Sequence, residues 1–350
     1  MNAILMKKIL SLRSFFILMA IILLAVGCRE EEKKAKREVP AEKKPELNLK
    51  IERFDKDLFQ LKSYKDSPPV GDLRKNYPVF FDVFTKNVLN IGDSSNPQLN
   101  RLLLDFLNDP EINRIKEEVG IILPDLSLDE TVLSDAFKNY KFFFPEKTIP
   151  RIVAVLSGFN YQNFVTENYL AIGLEFYLGS NHRYYQMLQY PAYKTKQLTK
   201  EYITSDAMKS WIITEFEDIA DKKNLLSQMI FHGKILYLMD QLMPETEDSL
   251  KWGFSANNLA WLEKEESMIW KYLIDKKLLF NNKPIETMKY VNEGPFTPGM
   301  PREAPARTAL WVGMRIVESY MKKHPDISPA QLMKMKDAAT ILNQSGYKPL

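Results

Sequence analysis

The chain of 350 residues is predicted to fold as a mainly α, α+β protein: a single helical domain carrying a small β-sheet. Two observations predict this. Most of the sequence after residue 47 repeats apolar side chains at the 3.6-residue spacing of helices with one buried face. Among these stretches lies one β-branched run, Arg151-Ile152-Val153-Ala154-Val155-Leu156-Ser157, bounded by Pro150 and Gly158 as a buried strand would be. A third observation bounds the size. With 45% hydrophobic and 12% aromatic residues the chain has ample material for an ordinary core. It shows no internal repeat that would indicate a solenoid.

The first 46 residues stand apart. Lys7, Lys8 and Arg13 precede an uncharged stretch at 15–26, which closes on Leu24-Ala25-Val26-Gly27-Cys28. A basic start, a short apolar core and small residues before a cut give residues 1–27 the layout of a secretory signal. The stretch is short for a membrane span, which needs roughly 20 apolar residues. Cys28, directly after Gly27, resembles the lipid-accepting cysteine of a lipobox, and a covalent diacylglycerol or acyl group there is the only cofactor expected. Cys28 is also the single cysteine, so no disulfide forms within the chain. Residues 28–46 are rich in Lys, Glu and Pro and read as a charged, solvated tether. A cysteine followed by Arg29 and several acids also resembles a surface-export signal of Bacteroidota lipoproteins, which leaves surface exposure as the alternative to a periplasmic location. The formal charge of +3 disappears with Lys7, Lys8 and Arg13, leaving 45 basic against 45 acidic residues. A neutral mature chain lacks the basic excess of a nucleic-acid binder. It also offers anionic lipid little overall attraction, so membrane attachment is expected to rest on acyl chains.

The globular part, 47–350, is read in order. Residues 48–54 alternate like a short strand. Helical spacing runs over 77–90 and 98–119, the second broken at Asp109-Pro110. A helix over 127–143 opens with Ser127 and Glu130 in the pattern of a capping box. The strand 151–157 is expected to pair with a second strand within 168–178. Helices follow over 195–219, 222–242, 256–279 and 302–323, and a short last one starts at Ser328 with Pro329 in first position.

Chemistry is sought first in the helix 222–242. A zinc-peptidase helix carries His-Glu-x-x-His, because residues four apart share a face and grip one ion while the Glu activates water. Here His232 is present, but Gly233 stands in place of Glu and Leu236 in place of the second His. Only His182 and His324 remain elsewhere, so no metal site is expected. Ser157 lacks the preceding glycine of a nucleophile elbow, and no phosphate-binding glycine loop occurs. Glu167 and Glu175 are a pair on paper only. The aromatic stretch 176–193 suits either ring packing or a ligand platform. The Pro- and Gly-rich loop 292–302 is suited to lining a cleft or to rigid connection.

Several landmarks in their order resemble the gliding-motility lipoprotein family GldB of Bacteroidota. They are Cys28, Phe54-Asp55, Leu174-Glu175-Phe176-Tyr177-Leu178-Gly179, the His232-Gly233-Lys234 helix and Trp311-x-Gly313-x-x-Ile316-Val317-x-x-Tyr320. The resemblance runs from the signal to about residue 323. It implies a lipid-anchored envelope protein required for gliding and without catalytic activity, an assembly or stabilising component beside other motility and secretion proteins. The family is also distantly similar to zinc peptidases, which implies a degenerate zincin-like fold with His232, Gly233, Leu236, Trp311 and Gly313 as pseudo-active-site or interaction positions. Two alternatives are carried forward: a metal-dependent peptidase-like envelope hydrolase around His232, and a ligand-binding lipoprotein with its pocket at 184–193.

Overall fold

The computed structural model describes residues 44–63, 70–219 and 223–349. The expected signal (1–27), Cys28 and the tether up to residue 43 lie outside the described residues. The fold is mainly helical, with one four-stranded sheet in the order β1-β2-β4-β3. Its strands are β1 (Ile51–Glu52), β2 (Arg151–Val155), β3 (Asn163–Val165) and β4 (Tyr169–Gly173). β2 lies parallel to both β1 and β4, with Arg151 opposite Tyr169 and Val155 opposite Gly173; β3 returns antiparallel to β4. β2 and β4 read as continuous apolar runs because parallel inner strands are covered on both faces. β3, absent from the sequence expectation, has only half-buried residues, and its single short Asn-Phe-Val segment carries no usable period. The second expected strand ends at Gly173, and Leu174–Tyr177 turns into a 3₁₀ helix.

The first strand is shorter than the alternation at 48–54 indicates. Phe54 is wholly buried at the start of α1 (Phe54–Gln60), its ring edge-on to Tyr77, Phe80 and Phe84 at 4.9, 5.1 and 5.0 Å between centroids. That aromatic cluster outweighs strand propensity. The break at Asp109 is as expected: α2 (Leu99–Asn108) stops and α3 (Pro110–Ile122) starts, with the Asp109 carboxylate accepting from the Glu111 and Ile112 amides at 2.8 and 3.0 Å.

Helix α4 (Ser127–Phe143) has its expected bounds but not its expected cap. Ser127 Oγ donates to Asp125 at 2.6 Å, while Glu130 accepts from the Ile51 amide at 3.0 Å and from Lys50 Nζ at 2.7 Å. The carboxylate is drawn away because the exposed edge of β1 has an amide that needs an acceptor. Beyond the sheet, α5 (Ile203–Phe216) begins later than the periodicity at 195 indicates, after turns and a 3₁₀ segment.

Helix α6 (Leu225–Leu242) opens with a reciprocal capping box between Asn224 and Ser227. The expected single apolar stripe is corrected here: every residue of α6 is buried except Gln228 and His232. Phe231, Ile235, Leu238, Met239 and Leu242 join the core built on the sheet. Leu225, Leu226, Met229, Ile230, Leu236 and Tyr237 join a second core of C-terminal helices. These are α7 (Asp248–Trp252), α8 (Ala256–Lys264), α9 (Glu266–Asp275), α10 (Pro284–Val291), α11 (Thr308–Lys323), α12 (Pro329–Lys334) and α13 (Ala338–Ser345). The helix read over 256–279 divides at Glu265. The helix read from 302 begins only at Thr308, since Pro305 can supply no amide to a preceding turn. α12 has the expected Pro329 start behind a Ser328–Gln331 capping box.

α6 and α11 cross with their backbones in contact. A Cβ on Gly313 would lie 2.0 Å from the Met229 carbonyl oxygen, and one on Gly233 would lie 2.3 Å from the Gly313 carbonyl carbon. Main-chain atoms cannot swing aside, so each position requires glycine. Gly313→Ala and Gly233→Ala are therefore expected each to lower stability by about 1–3 kcal/mol or more. Urea unfolding checks this, with Gly71→Ala as the control. Gly71 sits in the helix Val70–Asn76 with nothing within 4 Å of its added methyl, so that change should be neutral or gain up to about 1 kcal/mol.

Candidate functional site

The residues singled out from sequence converge on this crossing. Gly233 and Gly313 touch, while Leu236 and Trp311 are buried in the C-terminal core beside them. His232 is half-buried next to the Phe231 ring. The position where a peptidase holds its catalytic Glu is filled by the α11 backbone, and the position of the second His is core leucine. The other histidines lie elsewhere. His182 Nε2 meets Glu118 at 2.5 Å, and His324 caps the end of α11 with its ring tilted against Tyr320, 4.4 Å between centroids. Among the described residues no three His, Cys, Asp or Glu side chains come together to hold a metal ion.

The polar residues of α6 serve neighbouring segments. Lys234 Nζ donates to the Met335 and Met333 carbonyls at 2.8 and 3.4 Å, and burial brings its pKa down to about 8. Asp240 is 2.6 Å from Lys251 Nζ, which is itself wholly buried and also 2.9 Å from Asp248.

The other sequence candidates are also structural. Glu175 is completely buried, and its Oε1 accepts from the Ser157 amide, Ser157 Oγ and the Phe159 amide at 2.6, 2.7 and 3.1 Å. Desolvation raises its pKa against those bonds. Ser157 and Glu175 together clamp the turn after β2, whereas Glu167 is exposed on the β3–β4 turn, so the two glutamates form no pair. In the aromatic stretch Tyr185 is buried, accepting from the Leu178 amide at 2.9 Å and donating to the Glu175 carbonyl at 3.0 Å. Phe159, Phe176 and Tyr190 pack around this turn. Ring packing therefore accounts for Phe176, Tyr185 and Tyr190.

A polar cleft of about 220 Å³ lies nearby, and sequence reasoning did not find it. Asp206, Lys209, Ser210 and Ile213 line it from one face of α5, at the three-to-four-residue spacing that brings helix side chains together. Gln162 and Asn163 contribute from β3 and its approach, and Lys194, Gln197 and Leu198 from the turns before α5. Glu293 closes it from the 292–302 loop, which the sequence marked as suited to lining a cleft. Asp206 accepts from Gln162 Nε2 at 2.9 Å. The fully buried Tyr177 hydroxyl accepts from Asn163 Nδ2 at 2.9 Å and Gln162 Nε2 at 3.4 Å. Asn163 Oδ1 is buried and has no hydrogen-bond partner among the described residues.

Charge in the cleft is balanced, Lys194 and Lys209 against Asp206 and Glu293, but loosely paired. Lys209 Nζ is 3.9 Å from Asp206, too far for a hydrogen bond. Burial raises the Asp206 pKa to about 6, with Glu293 pushing the same way and Lys209 and Arg307 opposing. Burial also lowers Lys209 and Arg307. Arg307 is held by its neighbours, donating to the Gly253 carbonyl at 2.5 Å and lying 4.5 Å over the Phe254 ring. Carboxamides, a hydroxyl and charges of both signs can hold a small polar ligand through several hydrogen bonds. The signal that was available, a polar i, i+3, i+4 face on α5, resembles any solvated helix face, which is why it carried no weight.

The fold and site thus define an α+β protein built on a buried histidine-bearing helix and a small polar cleft. The family model described as gliding motility protein GldB matches residues 34–349, and the chain belongs to that family. No curated protein and no solved structure matches it. No helix among the described residues is long and apolar enough to cross a membrane.

The raised pKa of Asp206 has a definite sign. Between the ordinary carboxylate value and about 6 the folded state holds a proton that the unfolded state releases. This contribution to stability is complete below about pH 4 and is lost as pH rises through 6. Asp206→Asn is expected to remove that component. Denaturation midpoints measured from pH 4 to 7 should fall less steeply in the variant than in the parent.

Proposed function

We propose that this gliding-motility protein is a lipid-anchored component of the cell envelope, acting on the periplasmic side as a non-catalytic assembly or stabilising partner of the motility and secretion machinery. The observation that carries the non-catalytic reading is the helix crossing. At the position where a His-Glu-x-x-His helix carries its general base, Gly233 is pressed against Gly313, and a glutamate side chain has no space. The histidine helix is then a spine for two cores, and the protein acts through its surfaces. Anchoring rests on Cys28 at the end of the signal-like segment. Stable attachment takes more than one acyl chain, which a fully modified lipoprotein cysteine supplies. Confinement to a membrane raises the effective concentration of the domain beside other envelope proteins without any new contact. The equal numbers of acidic and basic residues after the signal argue against a nucleic-acid partner.

The cleft supports a second reading, a small-ligand-binding lipoprotein, with its site moved from 184–193 to the Asp206–Lys209 face. The unpartnered Asn163 oxygen is what favours it. A panel of sugars and short peptides that raises the melting temperature would place this reading first, since binding to the native state alone stabilises it.

Cys28→Ala is expected to leave a folded domain, release it from the membrane fraction and abolish colony spreading. Full membrane retention of the variant would overturn the anchor. His232→Ala is expected to leave spreading intact. Stoichiometric zinc in the purified protein, lost with His232, would instead establish the metal-dependent hydrolase.

A further inference from the structure

Of the eleven large hydrophobic side chains exposed among the described residues, four fall within 274–288: Ile274 (45% exposed), Phe280 (67%), Ile285 (82%) and Met288 (47%). Scattered exposed hydrophobics are ordinary, but a concentration of them marks a contact surface. These are held outward by an ordered frame. Leu278 and Leu279 are buried on either side of the turn out of α9, and the Leu226 and Leu225 amides at the start of α6 donate to the Leu279 and Asn281 carbonyls at 2.8 and 3.0 Å. Asn281 accepts from the Lys283 amide at 2.8 Å. Phe280 therefore projects from a fixed loop, and Ile285 and Met288, three apart on α10, share one face.

The same segment concentrates positive charge. Residues 271–289 carry five lysines against Asp275 and Glu286. Both acids are already paired, Asp275 with Lys271 at 2.7 Å and Glu286 with Lys283 at 3.3 Å. Lys276, Lys277 and Lys289 are exposed and enter no ion pair among the described residues. Protein–protein interface cores are depleted in lysine. Exposed apolar tips interspersed with exposed lysines along one segment suit instead a bilayer interface, where rings and aliphatic ends enter the headgroup boundary and ammonium groups meet lipid phosphates.

We infer that the α9–α10 segment is a second membrane contact of the protein, which seats Phe280, Ile285 and Met288 in the interface of an anionic bilayer while Lys276, Lys277 and Lys289 bind its phosphates. The inference does not depend on lipid at Cys28. Anchoring is read by fractionation and this contact by local protection, so either can fail alone.

The test is amide hydrogen exchange of the full chain, reconstituted on phosphatidylcholine vesicles with or without phosphatidylglycerol and compared with detergent. Peptides spanning 274–291 are expected to exchange several-fold more slowly on anionic vesicles only, and high salt should weaken this protection. The double change Phe280→Ser with Ile285→Ser should abolish it, and Lys276→Glu with Lys277→Glu and Lys289→Glu should abolish the preference for anionic lipid. Both sets alter exposed side chains, and an unchanged melting temperature confirms the fold. Equal exchange in all three settings would overturn the inference. So would protection that grows with protein concentration in detergent alone, which would assign the surface to a second copy of the chain.

Discussion

The contact between the Gly233 and Gly313 backbones sets the geometry of everything C-terminal to the sheet. Glycine inside a helix costs about 1 kcal/mol relative to alanine, and both helices carry one at the same crossing. That cost is offset only if close approach is worth more, through main-chain dispersion contacts and the side chains it draws together on either side. Here the approach lets α6 and α11 share Met229, Ile230, Trp311, Val312 and Met314 within one core. Because α6 also presents Phe231, Ile235 and Leu238 to the sheet, one helix holds two hydrophobic cores together. Its position cannot relax at one core without disturbing the other.

This constraint also decides where polar chemistry can sit. A helix buried on nearly every side has room for polar groups only where another segment satisfies them. Lys234 is accordingly spent on the carbonyls at the end of α12, and Asp240 on Lys251 of α7. Removing one partner of such a pair would leave an uncompensated buried charge. Loosely paired groups also line the cleft, to which α5, β3 and the 292–302 loop contribute. There Asp206 and Lys209 stay 3.9 Å apart, and the Asn163 oxygen has nothing to accept from. The family relation thus points to a gliding-motility protein, and the cleft lies on α5 and β3 rather than on the histidine-bearing helix.

How much could be read from sequence follows the range of the interactions involved. Local signals were legible: Asp109-Pro110 as a helix junction, Ser328-Pro329 as a start, and 151–157 as a strand. The GldB resemblance and the helical class were legible too, because order and periodicity survive in one dimension. Failures arose where a distant partner decided. Glu130 answers β1 rather than its own N-terminus, Phe54 answers an aromatic cluster rather than strand propensity, and β3 exists only because β4 offers it an edge. Gly233 is the instructive case. In one dimension it reads as a missing glutamate, whereas in three it is a contact requirement imposed by Gly313, eighty residues away in the chain.

Electrostatics shows the same limit. Without Lys7, Lys8 and Arg13 the sequence has equal numbers of acids and bases, and such an average predicts little overall attraction to anionic lipid. Attraction, however, falls off within a Debye length of about 8–10 Å, so a membrane senses only the charges facing it. The fold pairs Asp275 with Lys271 and Glu286 with Lys283, and leaves Lys276, Lys277 and Lys289 exposed and outside any ion pair among the described residues of the same segment. Neutrality of the whole is therefore compatible with a locally basic, apolar-tipped face. A tether at a single point restricts distance from the membrane but leaves orientation free. A second contact on a rigid loop would fix which face of the domain looks outward, and orientation is what a partner fixed in the same envelope must meet.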